Sequence, residues 1–390
     1  MPSQPAQYLD TPADADRFLT AINAATTIAV DTEGASYHRF VDRIYLLQLS
    51  TATHHAIIDP LRVPAPALLG ALLEAPGVEV VFHDADYDLR LLHQDYGWRV
   101  TNMFDTRVAA QLLGIKAFGL AALLEAHFSV KLDKRHQRAD WSMRPLSEDM
   151  LEYAAQDTLH LIELSRRLRD ALERKQRWHW AQEEFKHLEG TQWEADEPGA
   201  AFLRLKGARD LTRRELARLA ELVQWRDEVA RAQDRSTFRV VTNEALFEVV
   251  RRNPARQADL AAIKGINARL VEQRGAEMLG ALSRGNLVPE ADLPRFPKSA
   301  RWDRDPDFDA KVSRLKTVRD AAATRLDLDP GVLCARERLE AVVRRKPLRV
   351  DDLSDLPELR RWQIDELGEA FVRALRDGKP AESPYRDDGA

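Results

Sequence analysis

Two carboxylates spaced two residues apart, Asp31 and Glu33, end the β-branched run Thr27-Ile28-Ala29-Val30-Asp31-Thr32-Glu33. On a strand, residues i and i+2 share a face, so both acids point into the same space. Like charges held that close repel, and hard oxygen ligands of this kind suit Mg²⁺ or Mn²⁺ set between them. In isolation the pair also fits a strand end running into an acidic turn. A second acidic cluster, His83-Asp84-Ala85-Asp86-Tyr87-Asp88, follows an apolar run at a strand-to-helix junction, where open α/β sheets place their ligands. Helix capping accounts for Asp84 or Asp86, and is a weaker explanation for Asp88, which sits deeper. A third cluster sets Tyr153 and Asp157 four residues apart on one helix face, where an ordinary hydrogen bond at a core margin is the alternative.

Taken together, four acids and a phenol suit hydrolysis of a phosphodiester. In-line attack of water builds negative charge on the entering and leaving oxygens, and two divalent ions about 3.5–4 Å apart stabilise both. The expected ligand set has Asp31 bridging two ions, Glu33 and Asp157 completing one and Asp88 the other. The expected ion is Mg²⁺, with Mn²⁺ as the alternative. A tyrosine with a pKa near 10 is a poor base at neutral pH, so Tyr153 is assigned to orienting the attacking water.

These residues need a sheet and a late helix to bring them together. Residues 12–24 have amphipathic helical spacing and lead into the strand that ends at Asp31. Segments 43–50 and 55–59 read as two more strands, and their short links favour an antiparallel meander. Residues 78–82 form a fourth strand, followed by helical spacing through Leu89, Leu91 and Leu92, and by helices over 106–113 and 119–127. A further helix starts after Pro145 with Ser147 as its N-cap. Strands first and helices afterwards describe an α/β domain on one mixed sheet.

At this point the sequence resembles the DEDD exonucleases with the tyrosine variant of the third motif, and in particular the ribonuclease D family. Asp31 and Glu33 match the first motif, Asp88 the second, and Tyr153 and Asp157 the third. The wider pattern also matches in Ile44-Tyr45-Leu46-Leu47-Gln48-Leu49, in Asn102-Met103-Phe104-Asp105-Thr106, and in Ala139-Asp140-Trp141 with Arg144-Pro145-Leu146. The resemblance implies an RNase H-like α/β domain, a mixed sheet flanked by helices. It also implies 3′→5′ hydrolysis of RNA to 5′-mononucleotides.

Beyond Arg174 the composition turns polar, and 192–199 reads as a linker. The helical remainder contains a repeat: Val249-Val250-Arg251-Arg252-Asn253-Pro254 recurs 93 residues later as Val342-Val343-Arg344-Arg345-Lys346-Pro347. The first copy resembles the HRDC domain through Leu222-Val223-Gln224-Trp225-Arg226-Asp227 and 258–266; the second is more divergent. The expected organisation is an exonuclease domain over 1–192, a linker over 193–205, an all-α HRDC domain over 206–290 and a second HRDC-like bundle over 300–380.

Charge is unevenly spread along the chain: −10 over 1–200, +5 over 201–290 and 0 over 291–390. This suggests chemistry in the first part and polyanion holding in the second, with solvated helix faces as the alternative. Candidate RNA contacts are Gln48, Lys134, Arg135, Arg138, Arg251 and Arg252. The segment holding Lys131, Lys134, Arg135, His136 and Arg138 would position phosphates as a lid, with a solvated loop as the alternative, and apolar side chains of 44–50 would wedge or stack the terminal base. The single cysteine, Cys334, excludes an internal disulfide and fits a reducing, cytoplasmic setting, and no apolar run approaches membrane-spanning length. The expected function is a metal-dependent 3′→5′ exoribonuclease acting on RNA with a free 3′ end, such as tRNA precursors. A DNA exonuclease and a non-catalytic RNA-binding adaptor are the alternatives.

Overall fold

The computed structural model describes residues 5–133, 135–194, 199–297 and 305–376. Its first part runs β1 (Gln7–Leu9), α1 (Pro12–Ala21), β2 (Thr27–Glu33), β3 (Leu46–Ser50), β4 (His55–Ile58), α2 (Ala67–Glu74), β5 (Glu79–Phe82) and α3 (Asp86–Tyr96). It continues with β6 (Met103–Asp105), α4 (Thr106–Leu112), α5 (Leu120–Phe128), α6 (Glu148–Leu159), α7 (Leu161–Arg174) and α8 (Trp178–Leu188). The six strands make one mixed sheet in the order β1-β4-β3-β2-β5-β6. β2, β3 and β4 pair antiparallel as the expected meander, while β5 and β6 extend the sheet in parallel on one side and β1 on the other.

β2 lies in the middle of this sheet, and that explains its near-continuous apolar run: Ile28, Ala29 and Val30 are all buried. Helix α6 packs across β2, β3 and β4, and α7 across β2 and β5. Capping sets the helix starts. Thr11 caps α1 with Pro12 in its first turn, and the Ser147 hydroxyl accepts from Met150 N to start α6. Strands β1 and β6 escape sequence reading because three residues are too few to show alternation.

The remaining helices are α9 (Arg213–Ala232), α10 (Thr237–Val240), α11 (Asn243–Arg252), α12 (Gln257–Ala261), α13 (Ala268–Leu287), α14 (Phe308–Leu326), α15 (Pro330–Leu333), α16 (Arg336–Arg345) and α17 (Arg361–Arg376). The 93-residue repeat is structural: α11 and α16 occupy equivalent positions, and each ends on a left-handed residue, Asn253 and Lys346. Residues 195–198 of the expected linker, and 300–304 and 377–380 at the ends of the last expected domain, lie outside the described residues. Among the described residues, no helix is long and apolar enough to cross a membrane.

The two repeats are attached differently. The first encloses a core of its own, including Leu219, Leu222, Val249, Leu260 and Leu282. Core residues of the second, Leu315 and Trp362 among them, belong to the same cluster as those of the sheet domain. Trp180 of α8 stacks on Trp362 of α17 with centroids 4.7 Å apart, and Trp362 Nε1 donates to Glu184 Oε1 at 3.0 Å. Arg177 donates to Leu112 O at 2.7 Å and also to Leu326 O, tying α4 to the end of α14. Removing the ring of a fully buried tryptophan costs about 3–5 kcal/mol. Trp362→Ala is therefore expected to lower the denaturation midpoint of the sheet domain along with that of the second repeat. A sheet transition with an unshifted midpoint, followed by far-ultraviolet circular dichroism in guanidinium, would contradict the shared core.

Candidate active site

Antiparallel register puts Asp31 opposite Gln48, and Glu33 opposite Leu46. The facing side chains share the sheet surface covered by α6, where the Ser50 and Thr158 hydroxyls are 2.7 Å apart and His55 Nδ1 lies 3.0 Å from Ser50 Oγ. That packing carries Asp157 to the two β2 acids. Carboxylate oxygens of Asp31, Glu33 and Asp157 lie within 4.8 Å of one another. Asp88 stands outside that trio, buried in the first turn of α3. Its Oδ1 accepts from Thr32 N at 2.9 Å and from Thr32 Oγ1 at 2.6 Å. The residue between the two β2 acids thus holds the fourth.

Electrostatics in this recess oppose ionisation. Loss of hydration raises Asp31 well above the usual carboxylate range, and the charges of Asp88, Asp157 and Glu33 push it further. Glu33 is raised in the same way by burial and then by Asp157 and Asp88. Burial lifts Asp157 to about 7, and lifts Asp88 to about 7 despite the opposing Thr32 hydrogen bonds. Such a cluster is the donor set for a hard divalent cation, which neutralises the charges and satisfies the oxygens. Tyr153 lies beside it, packed edge-on against His136 at 5.7 Å and tilted against the buried Trp141 at 6.1 Å. Burial first, then the charges of Asp157, Glu33 and Asp31, raises its phenol and favours the protonated form.

Several residues without a chemical role fix this geometry. Asp105 Oδ2 accepts from Ala85 N at 2.7 Å, setting the start of α3, while its Oδ1 accepts from Arg107 N and Val108 N to cap α4. Arg144 binds Asp59 through Nε at 2.7 Å and Nη2 at 2.8 Å, and also reaches the carbonyls of Tyr45 and Trp141. This bidentate clamp anchors the segment leading into α6 to the end of β4. Gly34 is required by a close approach: a Cβ there would collide with the Tyr87 hydroxyl, which donates to Asp42 Oδ2 at 2.7 Å.

The structure brings Asp31, Glu33, Asp157 and Tyr153 together, with Asp88 adjacent, and it redistributes the other candidates. Gln48 is fully buried, with no partner for either side-chain amide atom, so it offers no surface to RNA. The apolar residues of 44–50 are likewise buried, and a base-wedging role for that segment is corrected for the same reason. Lys134 lies outside the described residues. Arg135 is exposed and pairs with Asp133, Arg138 is exposed, and Arg251 and Arg252 both pair with Glu248, at 3.8 and 3.2 Å. Thr32, Asp59 and Asp105 went unnoticed as positioning groups because their partners are 56, 85 and 20 residues distant in sequence.

The 3′-5′ exonuclease family model matches residues 6–173, and the HRDC domain model matches twice, at 215–282 and 309–375. A protein of Granulibacter bethesdensis named ribonuclease D is 31% identical over 366 residues, covering 92% of this chain and 90% of that relative. The crystal structure of Escherichia coli RNase D, described as an exoribonuclease involved in structured RNA processing, matches with TM-score 0.75 and 25% identity, over 97% of this chain and 100% of that one. A protein structure from Bifidobacterium adolescentis matches with TM-score 0.78 and 26% identity, over 95% and 96% of the two chains. With a mixed sheet carrying the acids, a helical repeat of HRDC type and similarity along nearly its whole length, this chain belongs to the ribonuclease D family of 3′-5′ exonucleases.

Proposed function

We propose that this enzyme hydrolyses RNA from a free 3′ end to 5′-mononucleotides, using two Mg²⁺ ions held by Asp31, Glu33, Asp88 and Asp157, with Mn²⁺ able to substitute. The observation that carries the reading is the convergence of these acids from β2, α3 and α6 into one recess where their charges disfavour one another. Divalent ions there stabilise charge on the entering and leaving oxygens of the phosphodiester. Asp31, Glu33, Asp157 and Asp88 would be the residues that hold these ions. Thr32 holds Asp88 in place, and α6 holds Asp157. Tyr153, kept protonated by burial and then by its acidic neighbours, orients the attacking water instead of removing its proton.

Trimming of 3′ extensions on tRNA precursors and other structured RNAs is the substrate assignment, supported by the description of the E. coli relative as acting on structured RNA. The working division places the exonuclease domain at 1–192, a linker at 193–205 and HRDC-type units at 206–290 and 300–380. A cytoplasmic setting accords with a single cysteine, which is buried. The adaptor alternative gains no support, since a chain that only held RNA would have no use for four mutually repelling carboxylates. The direct test incubates 3′- and 5′-labelled RNA and DNA of equal sequence with the protein in Mg²⁺, Mn²⁺ or EDTA. Stepwise release of mononucleotides from the RNA 3′ end in metal alone is expected, and preferential digestion of DNA would favour the other alternative.

Asp31→Asn and Asp157→Asn are each expected to abolish hydrolysis while RNA still binds, because each removes a ligand charge. Turnover near the wild-type rate in Mg²⁺ by either variant would refute the assignment. Tyr153→Phe keeps the ring packing and is expected to lower kcat by about 10²–10⁴-fold with little change in RNA affinity. A collapse of affinity instead would make Tyr153 a substrate contact.

Metal-free stability should depend on pH through the same acids. Asp88 and Asp157 have folded pKa values of about 7, above the value near 3.9 of an unfolded chain. Their stabilising contribution is complete below about pH 4 and is lost as pH rises through about 7. In EDTA, Tm should fall between pH 5 and pH 8, and added Mn²⁺ should raise Tm more at pH 8 than at pH 5. Equal Mn²⁺ shifts at the two pH values, measured by differential scanning fluorimetry, would contradict the shared-charge account.

A further inference from the structure

We infer that a corner built jointly by the loop after Glu33 and the first HRDC-type repeat is a binding shelf for the single-stranded RNA tail that leads to the scissile phosphate. This inference rests on the proposed function and adds a substrate-holding site to it. Tyr37 and Phe238 are both large aromatics left substantially exposed, at 45% and 40%, and their rings meet with centroids 5.0 Å apart. The Arg239 guanidinium lies over Tyr37 at 5.1 Å, and that of Arg231 over Phe40 at 5.2 Å. Ser236 Oγ donates to Tyr37 O at 2.8 Å, and Arg39 bridges to Asp234 at 3.1 Å, so the two sides are fixed to each other.

Exposed cations line this corner. Arg251 and Arg252, the cations that the repeat motif brings forward, are paired with Glu248. Among the described residues, Arg138, Arg231 and Arg239 are exposed and form no ion pair with a carboxylate. The acids of the corner, Asp140 and Asp234, are engaged by Arg39, with His38 also 3.7 Å from Asp140. His38 ties the two sides together, with Nε2 3.1 Å from the Arg138 carbonyl oxygen and Nδ1 3.3 Å from Arg239 Nη1. Exposed rings interleaved with unneutralised guanidinium groups suit stacked bases on a phosphate backbone, and do so without sequence preference.

Position joins this surface to the chemistry. The loop leaves β2 at Glu33, and its return is pinned where Tyr45 N donates to Glu33 O at 2.8 Å. Tyr37 is four residues from Glu33, so it lies within about 14 Å along the chain. A tail whose last nucleotide reaches the acids can therefore reach the corner within a few nucleotides. The second repeat lacks an equivalent surface: 93 residues on, Thr324, Gly331 and Val332 stand where the first repeat has Arg231, Phe238 and Arg239.

The test measures binding of fluorescein-labelled oligoadenylates of 2, 4, 8 and 16 nucleotides in EDTA by anisotropy. A DNA 16-mer and a 16-bp RNA duplex serve as comparison arms. Two double variants of the full chain are used: Tyr37→Ser with Phe238→Ser, and Arg231→Gln with Arg239→Gln, the second leaving the aromatic packing in place. Wild-type affinity should tighten with length, and the aromatic variant should lose that gain, binding the 16-mer about 10- to 100-fold more weakly. The arginine variant should flatten the slope of log K against log salt by about 0.7 per lost contact. Unchanged length dependence and salt slope in both variants would overturn the shelf, as would equal weakening on the 2-mer and the 16-mer or tighter binding of the duplex. A wild-type chain that binds with this length dependence yet releases no mononucleotides in Mg²⁺ would support the shelf while removing the proposed hydrolysis.

Discussion

Four carboxylates converge on one poorly hydrated recess, and their mutual repulsion is the constraint that the surrounding structure has to satisfy. Asp31 and Glu33 are brought together by strand periodicity alone, but Asp88 and Asp157 must be carried in against charge and desolvation. The fold meets that cost with unrelated devices. Thr32 gives Asp88 two hydrogen bonds from the centre of the first motif, Asp105 fixes the start of the helix bearing Asp88, and the Arg144–Asp59 clamp sets the segment that leads into α6. The first replaces hydration that the buried Asp88 has lost, and the other two fix the backbone that carries the acids.

The helical half serves the recess in two ways. The second repeat has merged its core with the sheet domain across the Trp180–Trp362 stack, so it acts as a wall of that domain. The first repeat keeps its own core and meets the sheet domain through rings, arginines and a few hydrogen bonds beside the loop that follows Glu33. A contact of that kind leaves aromatic and cationic surface exposed. The net charge partition agrees with this, since the excess of cations lies in the first repeat.

Much of the site was legible because its signals are local. The D-x-E spacing on a β-branched run, the Tyr153–Asp157 step on one helix face and Ser147 as a helix start all depend on neighbours within four residues. The meander of β2, β3 and β4 was legible from short polar links. What could not be read depends on partners distant in sequence. Gln48 looked like a polar contact for RNA, but register against Asp31 and coverage by α6 bury it completely. Arg251 and Arg252 looked like free cations, yet a glutamate one helical turn away engages both. The shared core of the second repeat left no mark on a sequence whose two copies have the same apolar spacing.

The claim that these four acids form one metal-holding site is tested most directly by counting bound Mn²⁺ through electron paramagnetic resonance, with the 5′-mononucleotide product present. The wild-type chain is predicted to bind two ions whose spectra show magnetic coupling. Thr32→Val, which deprives Asp88 of its hydroxyl partner but leaves every acid in place, is predicted to weaken one ion and abolish the coupling. A wild-type chain that binds no Mn²⁺ at this site, or a Thr32→Val chain with unchanged stoichiometry, affinity and coupling, would contradict the account.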